Sequence, residues 1–218
     1  MRYAVYFCPA AGSGLDTFGR EWLSTETVPG IAPERLRALT THVRRYGWHA
    51  TLCAPFALAE PASYADLRCI VADIAQQASV IELPLHLDRL AAFLALRPSV
   101  DEGDVKALSE HCVRRLNALR APGTEAAWQR RAPHLDETEL ALFREYGYPY
   151  VLDRYRFHMT LSAPASDVEE QALREWLSPR VANLASARID ALTICCEKEP
   201  GQPFEQIERM PFGAGKAA

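Results

Sequence analysis

The sequence predicts an α+β protein built from two β-α-β-β halves with antiparallel sheets. The first observation is a repeat: an eleven-residue segment at 45–55 recurs at 154–164 with seven identical positions. The second is that each copy contains a short alternating run that is typical of a strand and ends near a proline. The third is that a helical segment and two more strand-like runs follow each copy. Two halves related by a pseudo-two-fold axis around one cleft would explain this order.

The first half begins with a strand over 2–8, rich in aromatic and branched residues. An amphipathic helix follows, and residues 33–45 have weaker helical spacing. Within the repeat, Trp48 to Leu52 alternates as a strand does, and Pro55 is expected to end it. The remaining elements are a helix over 64–78 capped by Ser63, and strands over 80–87 and 90–97 joined by a turn at Asp88-Arg89.

The second half repeats this order. Its strand is predicted over 155–161, and Ser166 with Glu169 has the spacing of a capping box that opens a helix. Residues 187–196 and 203–210 are expected to form a hairpin. We therefore expect one bilobal domain with a lobe over 2–97, a helical connection over 101–150, a lobe over 151–212 and a mobile tail over 213–218.

The helical segment at 123–147 has no counterpart in the first half. An unmatched insertion just before the second repeat is either a source of substrate selectivity or a packing strut. The sequence leaves both readings open.

Composition limits the function classes. The chain of 218 residues is 49% hydrophobic and carries a formal net charge of −4, which argues against a long nucleic-acid track but allows a small anionic ligand. The six cysteines have no CxxC spacing and are expected to be reduced. No run approaches a membrane span or a signal peptide, so we expect a cytoplasmic protein, with a monomer compatible with the sequence.

A histidine and a threonine lie two residues apart in each repeat: His49 with Thr51, and His158 with Thr160. On a strand, residues i and i+2 project from the same face, so each pair points together while its neighbours point into packing. Two imidazoles can supply the base and the acid of an in-line attack on a phosphodiester, because their pKa lies near neutral pH. Threonine hydroxyls can donate hydrogen bonds to the non-bridging oxygens. No metal or cofactor is required.

Other residues near the motifs are candidates for binding substrate. Arg156 precedes His158 by two and has the parity to face the cleft, where it could clamp phosphate, whereas the matching Gly47 leaves space. Arg45 and Arg154 share this parity at a greater distance. Tyr6 and Tyr148 are candidates for lining the cleft, against the alternative that they only pack.

At these residues the chain resembles the 2H phosphoesterase superfamily, whose signature is two copies of hydrophobic-His-x-Thr/Ser-hydrophobic. The copies here are Trp48-His49-Ala50-Thr51-Leu52 and Phe157-His158-Met159-Thr160-Leu161. The resemblance implies a bilobal α+β fold in which each lobe contributes one motif to a central cleft. It also implies catalysis by His49 and His158, with Thr51 and Thr160 binding phosphate.

More narrowly, residues 2–7, 45–52 and 147–151 are similar to an uncharacterised bacterial branch associated with phosphonate-utilisation operons. This likeness implies a role beside carbon-phosphorus bond cleavage, where cyclic ribose phosphates arise. The expected activity is hydrolysis of a small cyclic phosphate of a ribose or nucleotide compound.

Two other functions remain open at this point. The same cleft could bind a nucleotide or phosphoribosyl compound without reacting, or the chain could process RNA ends, which its acidic charge disfavours. Histidines outside the motifs have no spacing for a metal site. The exact substrate, its regiochemistry and the roles of the two histidines are not determined by the sequence.

Overall fold

The structure is a computed structural model that describes residues 1–184 and 186–213. Every described strand pair is antiparallel and helices are interspersed, which confirms the predicted α+β class. The tail over 213–218, predicted to be mobile, lies outside the described residues except for Gly213. The elements in chain order are β1 (Arg2–Phe7), α1 (Gly14–Ser24), α2 (Pro33–Tyr46), β2 (Ala50–Phe56), α3 (Tyr64–Gln77), β3 (Ile81–Leu83), β4 (Leu85–Leu90), β5 (Phe93–Pro98), α4 (Gly103–Leu116), α5 (Glu125–Arg131), α6 (Glu137–Tyr146), β6 (Met159–Thr160), α7 (Asp167–Val181), β7 (Ala187–Ile189), β8 (Ala191–Glu197) and β9 (Glu205–Pro211).

One large sheet contains strands from both halves of the chain. Its order is β4-β5-β6-β2-β1-β8-β9, and β3 pairs separately with β7. The halves interleave, because β5 of the first half pairs with β6 and β8 of the second half pairs with β1. The motif strands of the two halves, β2 and β6, are neighbours in this sheet and pair at Ala50 and Met159. The lobe limits of 2–97 and 151–212 stay a prediction.

The two faces of the sheet have different surroundings. On β1, Val5 and Phe7 belong to the main core together with helical residues such as Leu39, whereas Tyr6 and Cys8 belong to a smaller cluster on the opposite face. Trp22 of α1 ties the helical layer to the sheet by donating its Nε1–H to the carbonyl oxygen of Leu161 at 3.0 Å. The smaller cluster therefore marks the face that is left open for a site.

The helix caps predicted at Ser63 and Ser166 are both present. Each serine side chain accepts a hydrogen bond from the third residue of its helix, and the acidic side chain at that position accepts one from the serine backbone in return. These caps fix where α3 and α7 begin after the two motif strands.

Several strand limits differ from the sequence prediction. The runs predicted as single strands over 80–87 and 187–196 are each divided, into β3 and β4 and into β7 and β8. Pro55 lies inside β2 instead of ending it, because the pairing with β1 is irregular there and does not need its missing N–H. The hairpin predicted to turn at Asp88-Arg89 turns at 91–92, where Ala91 has a φ of 53°. The sequence has no glycine or asparagine there to signal a turn.

The second motif strand is much shorter than the predicted 155–161. The N–H of Phe157 donates to the side chain of Glu102 at 3.0 Å, and the N–H of Leu161 donates to the carbonyl of Leu94 at 2.8 Å. A single 3-10 turn occupies Leu152–Arg154. Only Met159–Thr160 remains as regular strand. Before it, the N–H of Phe157 binds a side chain; after it, the N–H of Leu94 donates to the Ser162 hydroxyl and the Leu161 carbonyl accepts from Trp22.

Candidate active site

The two motifs flank one residue pair at the centre of the sheet. His49 lies immediately before β2 and His158 immediately before β6, while Ala50 pairs with Met159. Continuing this antiparallel register by one residue in each direction places His49 opposite Thr160 and Thr51 opposite His158. The four motif side chains therefore share one face, and each histidine faces the threonine of the other motif.

The residues between and beside the motif side chains pack into the core, as predicted. The apolar neighbours of the motif histidines and threonines are all buried in the core. Trp48 also donates its Nε1–H to the carbonyl of Leu15 at 3.0 Å, and its ring fits against the Cα of Gly19, where a Cβ would come within 2.1 Å of Trp48 Cδ1. The segment leading into His49 is thus held on both sides. The buried neighbours are Trp48, Ala50, Leu52, Phe157, Met159 and Leu161.

The four motif residues line one cleft of ≈ 540 Å³. This volume lies within the range of small-molecule sites. Its walls come from β1, β2, the end of α2, the segment after α4 and the loop after α6. The cleft is therefore built by both halves of the chain and by the helical connection between them.

Both imidazoles form the same kind of hydrogen bond, between Nδ1 and the backbone carbonyl two residues earlier. Nδ1 of His49 lies 2.9 Å from the carbonyl oxygen of Gly47, and Nδ1 of His158 lies 2.8 Å from that of Arg156. Because a carbonyl only accepts, Nδ1–H is the donor in both rings. Nε2 of a neutral ring then carries the lone pair, and Thr51 Oγ1 lies 3.4 Å from Nε2 of His49.

His49 is the more shielded of the two histidines. Burial lowers the pKa of His49 against the opposite effect of the Gly47 carbonyl, and the nearby His158 also lowers it, so that the pKa is about 4. The ring of Tyr6 stacks on it, with centroids 4.0 Å apart. The ring centroid of Tyr46 lies 6.2 Å from that of His49. His49 is therefore neutral at neutral pH.

His158 has charged neighbours. Burial lowers its pKa, and Arg97 adds to the lowering, while the Arg156 carbonyl and Glu102 act to raise it. Arg97 lies on β5, and the register that pairs Leu96 with Met159 places it directly opposite His158. Its buried Nε has no hydrogen-bond partner among the described residues.

The structure does not bring the arginines predicted beside the motifs into the cleft. Arg45 forms an ion pair with Glu197, and Arg154 forms one with Asp136 at 2.7 Å. Arg156 is exposed, and only its backbone carbonyl reaches His158. The alternation of a strand does not apply to these arginines, because Arg45 lies in the last turn of α2 and the other two precede β6.

Both predicted tyrosines line the cleft. Tyr6 is almost completely buried against His49, with its pKa raised well above the ordinary value by burial. Tyr148 follows α6, and burial also raises its pKa. Each tyrosine is therefore packed in the protein and also lines the cleft.

The sequence did not reveal the arginines that do line the cleft. Arg2 begins β1, Arg120 follows α4, and Arg130 and Arg131 end α5. The unmatched insertion at 123–147 pointed towards Arg130 and Arg131, whereas no sequence signal pointed towards Arg2 or Arg120. The structure places this insertion at the cleft wall.

The described residues were also compared with the requirements of a metal site and of a membrane span. Within residues 1–184 and 186–213, no group of three or more His, Cys, Asp or Glu side chains is arranged to hold a metal ion. No helix in this part of the chain has both the length and the apolar character needed to cross a membrane.

Comparison with solved structures gives similar folds over nearly the whole chain. LigT from E. coli in complex with 3′-AMP matches with 97% of this chain and 96% of that chain covered, at 8% identity and a TM-score of 0.47. TT0787 of Thermus thermophilus matches at 12% identity and a TM-score of 0.46, covering 97% of this chain and 98% of that chain. At these scores the likeness carries no argument about activity.

Two curated relatives are closer in sequence. A protein of Janthinobacterium sp. (strain Marseille) named ribose 1,5-bisphosphate phosphokinase PhnN is 35% identical over all of this chain and 52% of its own length. One of the same name from Laribacter hongkongensis (strain HLHK9) is 34% identical over 94% of this chain and 50% of its own length. The chain thus spans about half the length of these relatives. A family model described as a protein of unknown function, DUF1045, matches residues 51–205, and the chain belongs to that family.

Proposed function

We propose that this protein is a metal-independent phosphodiesterase that hydrolyses a small cyclic phosphate of a ribose or nucleotide compound. The observation that carries the proposal is the arrangement around the Ala50–Met159 pair: two imidazoles with matching Nδ1 hydrogen bonds and two threonine hydroxyls on one face of one cleft. Both the proton-transfer groups and the phosphate donors are then present without a cofactor.

The reaction assigns different roles to the two histidines. His49, neutral at neutral pH, takes a proton from water through Nε2 as the water oxygen attacks phosphorus. His158, protonated when the anionic substrate is bound, gives a proton to the departing ester oxygen as the P–O bond of the ring breaks. The product is a phosphate monoester, and exchange with solvent restores both rings.

Thr51 and Thr160 hold the phosphate during this step. Because each lies opposite the histidine of the other motif, their hydroxyls approach the non-bridging oxygens from two sides. The stacked Tyr6 ring keeps the imidazole of His49 in one plane. The names of the two relatives refer to a ribose bisphosphate, which supports a sugar phosphate as substrate. A role in phosphonate metabolism rests on the branch resemblance.

The test is hydrolysis of adenosine 2′,3′-cyclic phosphate in excess chelator, followed by ³¹P NMR. We expect turnover by the wild type, and a loss of about 10²- to 10⁴-fold in kcat for either His49→Ala or His158→Ala. His111→Ala is the control, since this exposed histidine on α4 does not line the cleft. Full activity in both motif variants would contradict the proposal. Tight binding without turnover across a panel of cyclic phosphates would instead identify a binding protein.

A further inference from the structure

The charge of the cleft is opposite to that of the whole chain. The formal net charge is −4, yet the described residues that line the cleft include four arginines and no aspartate or glutamate. Arg2 is paired with Glu197. The other three, Arg120, Arg130 and Arg131, have no carboxylate within salt-bridge distance among the described residues, and we call them the arginine cluster.

The helical connection over 101–150 provides the arginine cluster, and Arg130 and Arg131 lie in its unmatched insertion at 123–147. Helix α5, which ends with Arg130 and Arg131, is fixed against α6 by Trp128, whose ring stacks on Phe143 with centroids 5.4 Å apart and planes 3° apart. Arg144 covers the Trp128 ring at 5.0 Å. The two cluster arginines therefore project from a packed helix.

Arg120 is held in place individually. Its Nε donates to Asn117 Oδ1 at 3.2 Å and its Nη2 to the carbonyl of Glu145 at 2.7 Å. Gly147 leaves the space that the guanidinium occupies, because a Cβ there would come within 2.4 Å of Arg120 Nη1. Burial lowers the pKa of Arg120, as expected for a desolvated cation without a carboxylate.

Aromatic residues connect the arginine cluster with the histidines. Arg131 lies over the ring of Tyr148, 5.8 Å from its centroid, and both Tyr148 and Tyr46 line the cleft. Tyr46 in turn lies 6.2 Å from His49. All of these residues border the same cleft. A ligand that reaches from His49 along this aromatic wall meets the arginine cluster.

We propose that the arginine cluster binds a second anionic group of the substrate, a phosphate monoester, so that the preferred substrate is a cyclic phosphodiester of a phosphorylated sugar. This inference rests on the proposed function. The cyclic diester carries one negative charge and meets the histidines and threonines, which leaves the three guanidinium groups without a role at the reacting phosphorus. A phosphate monoester carries about −1.5 to −2 charges at pH 7 and matches the geometry of guanidinium.

Two matched compounds test the inference: adenosine 2′,3′-cyclic phosphate, and the same compound with an additional 5′-phosphate. We expect the 5′-phosphate to raise kcat/KM by about 10- to 100-fold, as one or two charge-assisted hydrogen bonds would do. The ratio should fall towards one in Arg130→Gln/Arg131→Gln and in Arg120→Gln. Arg115→Gln is the control, since Arg115 pairs with Asp73 on the helical surface and does not line the cleft.

A binding measurement separates this inference from the proposed function. The His49→Ala/His158→Ala protein is titrated with both compounds, so that affinity is read without turnover. Tighter binding of the 5′-phosphorylated compound that depends on the arginine cluster supports the subsite even if the wild type hydrolyses neither compound. Equal kcat/KM and equal affinity for the two compounds overturn it. A marked preference for an oligonucleotide with a 2′,3′-cyclic end over both compounds also overturns it, because the arginines would then serve an RNA backbone.

Discussion

Ala50 of β2 pairs with Met159 of β6, and this contact is the centre about which the two motifs are arranged. The histidine and threonine of the two motifs are arranged alike around this pair, but the residues that neighbour them differ. Tyr6 lies opposite Thr51, whereas Ala95 lies opposite Thr160. One imidazole is covered by an aromatic ring and the other faces Arg97 across the strands. The symmetric part places two histidines in one cleft, and the asymmetric part gives their imidazoles different electrostatic surroundings.

The pH dependence of kcat/KM follows from the pKa values of the two histidines. The base must be neutral, so activity is lost as the pH falls through the pKa of His49 at about 4. The acid must be protonated, so activity is lost as the pH rises through the pKa of His158, which lies below its ordinary value of 6.5. We expect a bell-shaped profile with an acidic optimum, measured with a cyclic phosphate. A profile still rising above pH 7 would contradict the assignment of roles.

Replacing Arg97 tests the charge opposite His158. In Arg97→Met the positive charge that disfavours the imidazolium is gone, so the pKa of His158 rises and the alkaline limb of kcat/KM moves to higher pH. The acid limb should stay in place. Arg188→Met is the matched control, since Arg188 pairs with Glu82 on the small sheet. An unchanged alkaline limb in Arg97→Met would exclude an electrostatic effect of Arg97 on the acid.

Gly19 tests how firmly Trp48 positions the neighbouring His49. A Cβ at this position would come within 2.1 Å of Trp48 Cδ1, so Gly19→Ala should destabilise the fold by about 1–3 kcal/mol and lower kcat. Gly14→Ala is the control on the same helix, because a Cβ there meets nothing within 4 Å. Thermal melts and steady-state kinetics are the measurements. Equal melting temperatures and equal kcat for the two variants would show that Trp48 has room to shift.

The surroundings of Glu197 predict that part of the free energy of unfolding depends on the ionisation of this side chain. It is completely buried and accepts hydrogen bonds from Arg2, Arg45 and the N–H of Gly201; although burial acts to raise its pKa, these bonds lower it to about 2. A lowered pKa stabilises the fold above about pH 4.5, and this contribution is lost as the pH falls towards 2. Glu197→Gln should cost about 1.5–3 kcal/mol at pH 7.

The measurement for Glu197 is urea unfolding of wild type and variant between pH 7 and pH 3. The difference in free energy of unfolding should shrink as the pH falls. Glu205→Gln, which removes an exposed partner of Lys198, should change the free energy little at any pH. A constant difference for Glu197→Gln across this range would indicate that folding does not lower the pKa of Glu197.

The sequence was sufficient for the motif residues and for their packing partners, because a repeated two-residue period identifies both faces of a strand. It was insufficient for Arg97, whose place opposite His158 depends on the register of β5 with β6, two segments more than 60 residues apart. Arg156 was expected to face the cleft with His158, but it does not, because the backbone before His158 is not a strand. Arg130 and Arg131 of the arginine cluster lie in a segment without a repeat partner, where no periodic signal was available.

The interleaving of the two halves ties assembly of the site to folding of the whole chain. Without the second half, β1 would lose β8, and β2 and β5 would both lose β6, so three strands of the large sheet would present unpaired backbone edges. The second half alone would leave β8 and β6 without these neighbours. A chain caught before the halves have joined therefore displays edges prone to aggregation, and acquires its two-histidine cleft only when the large sheet is complete.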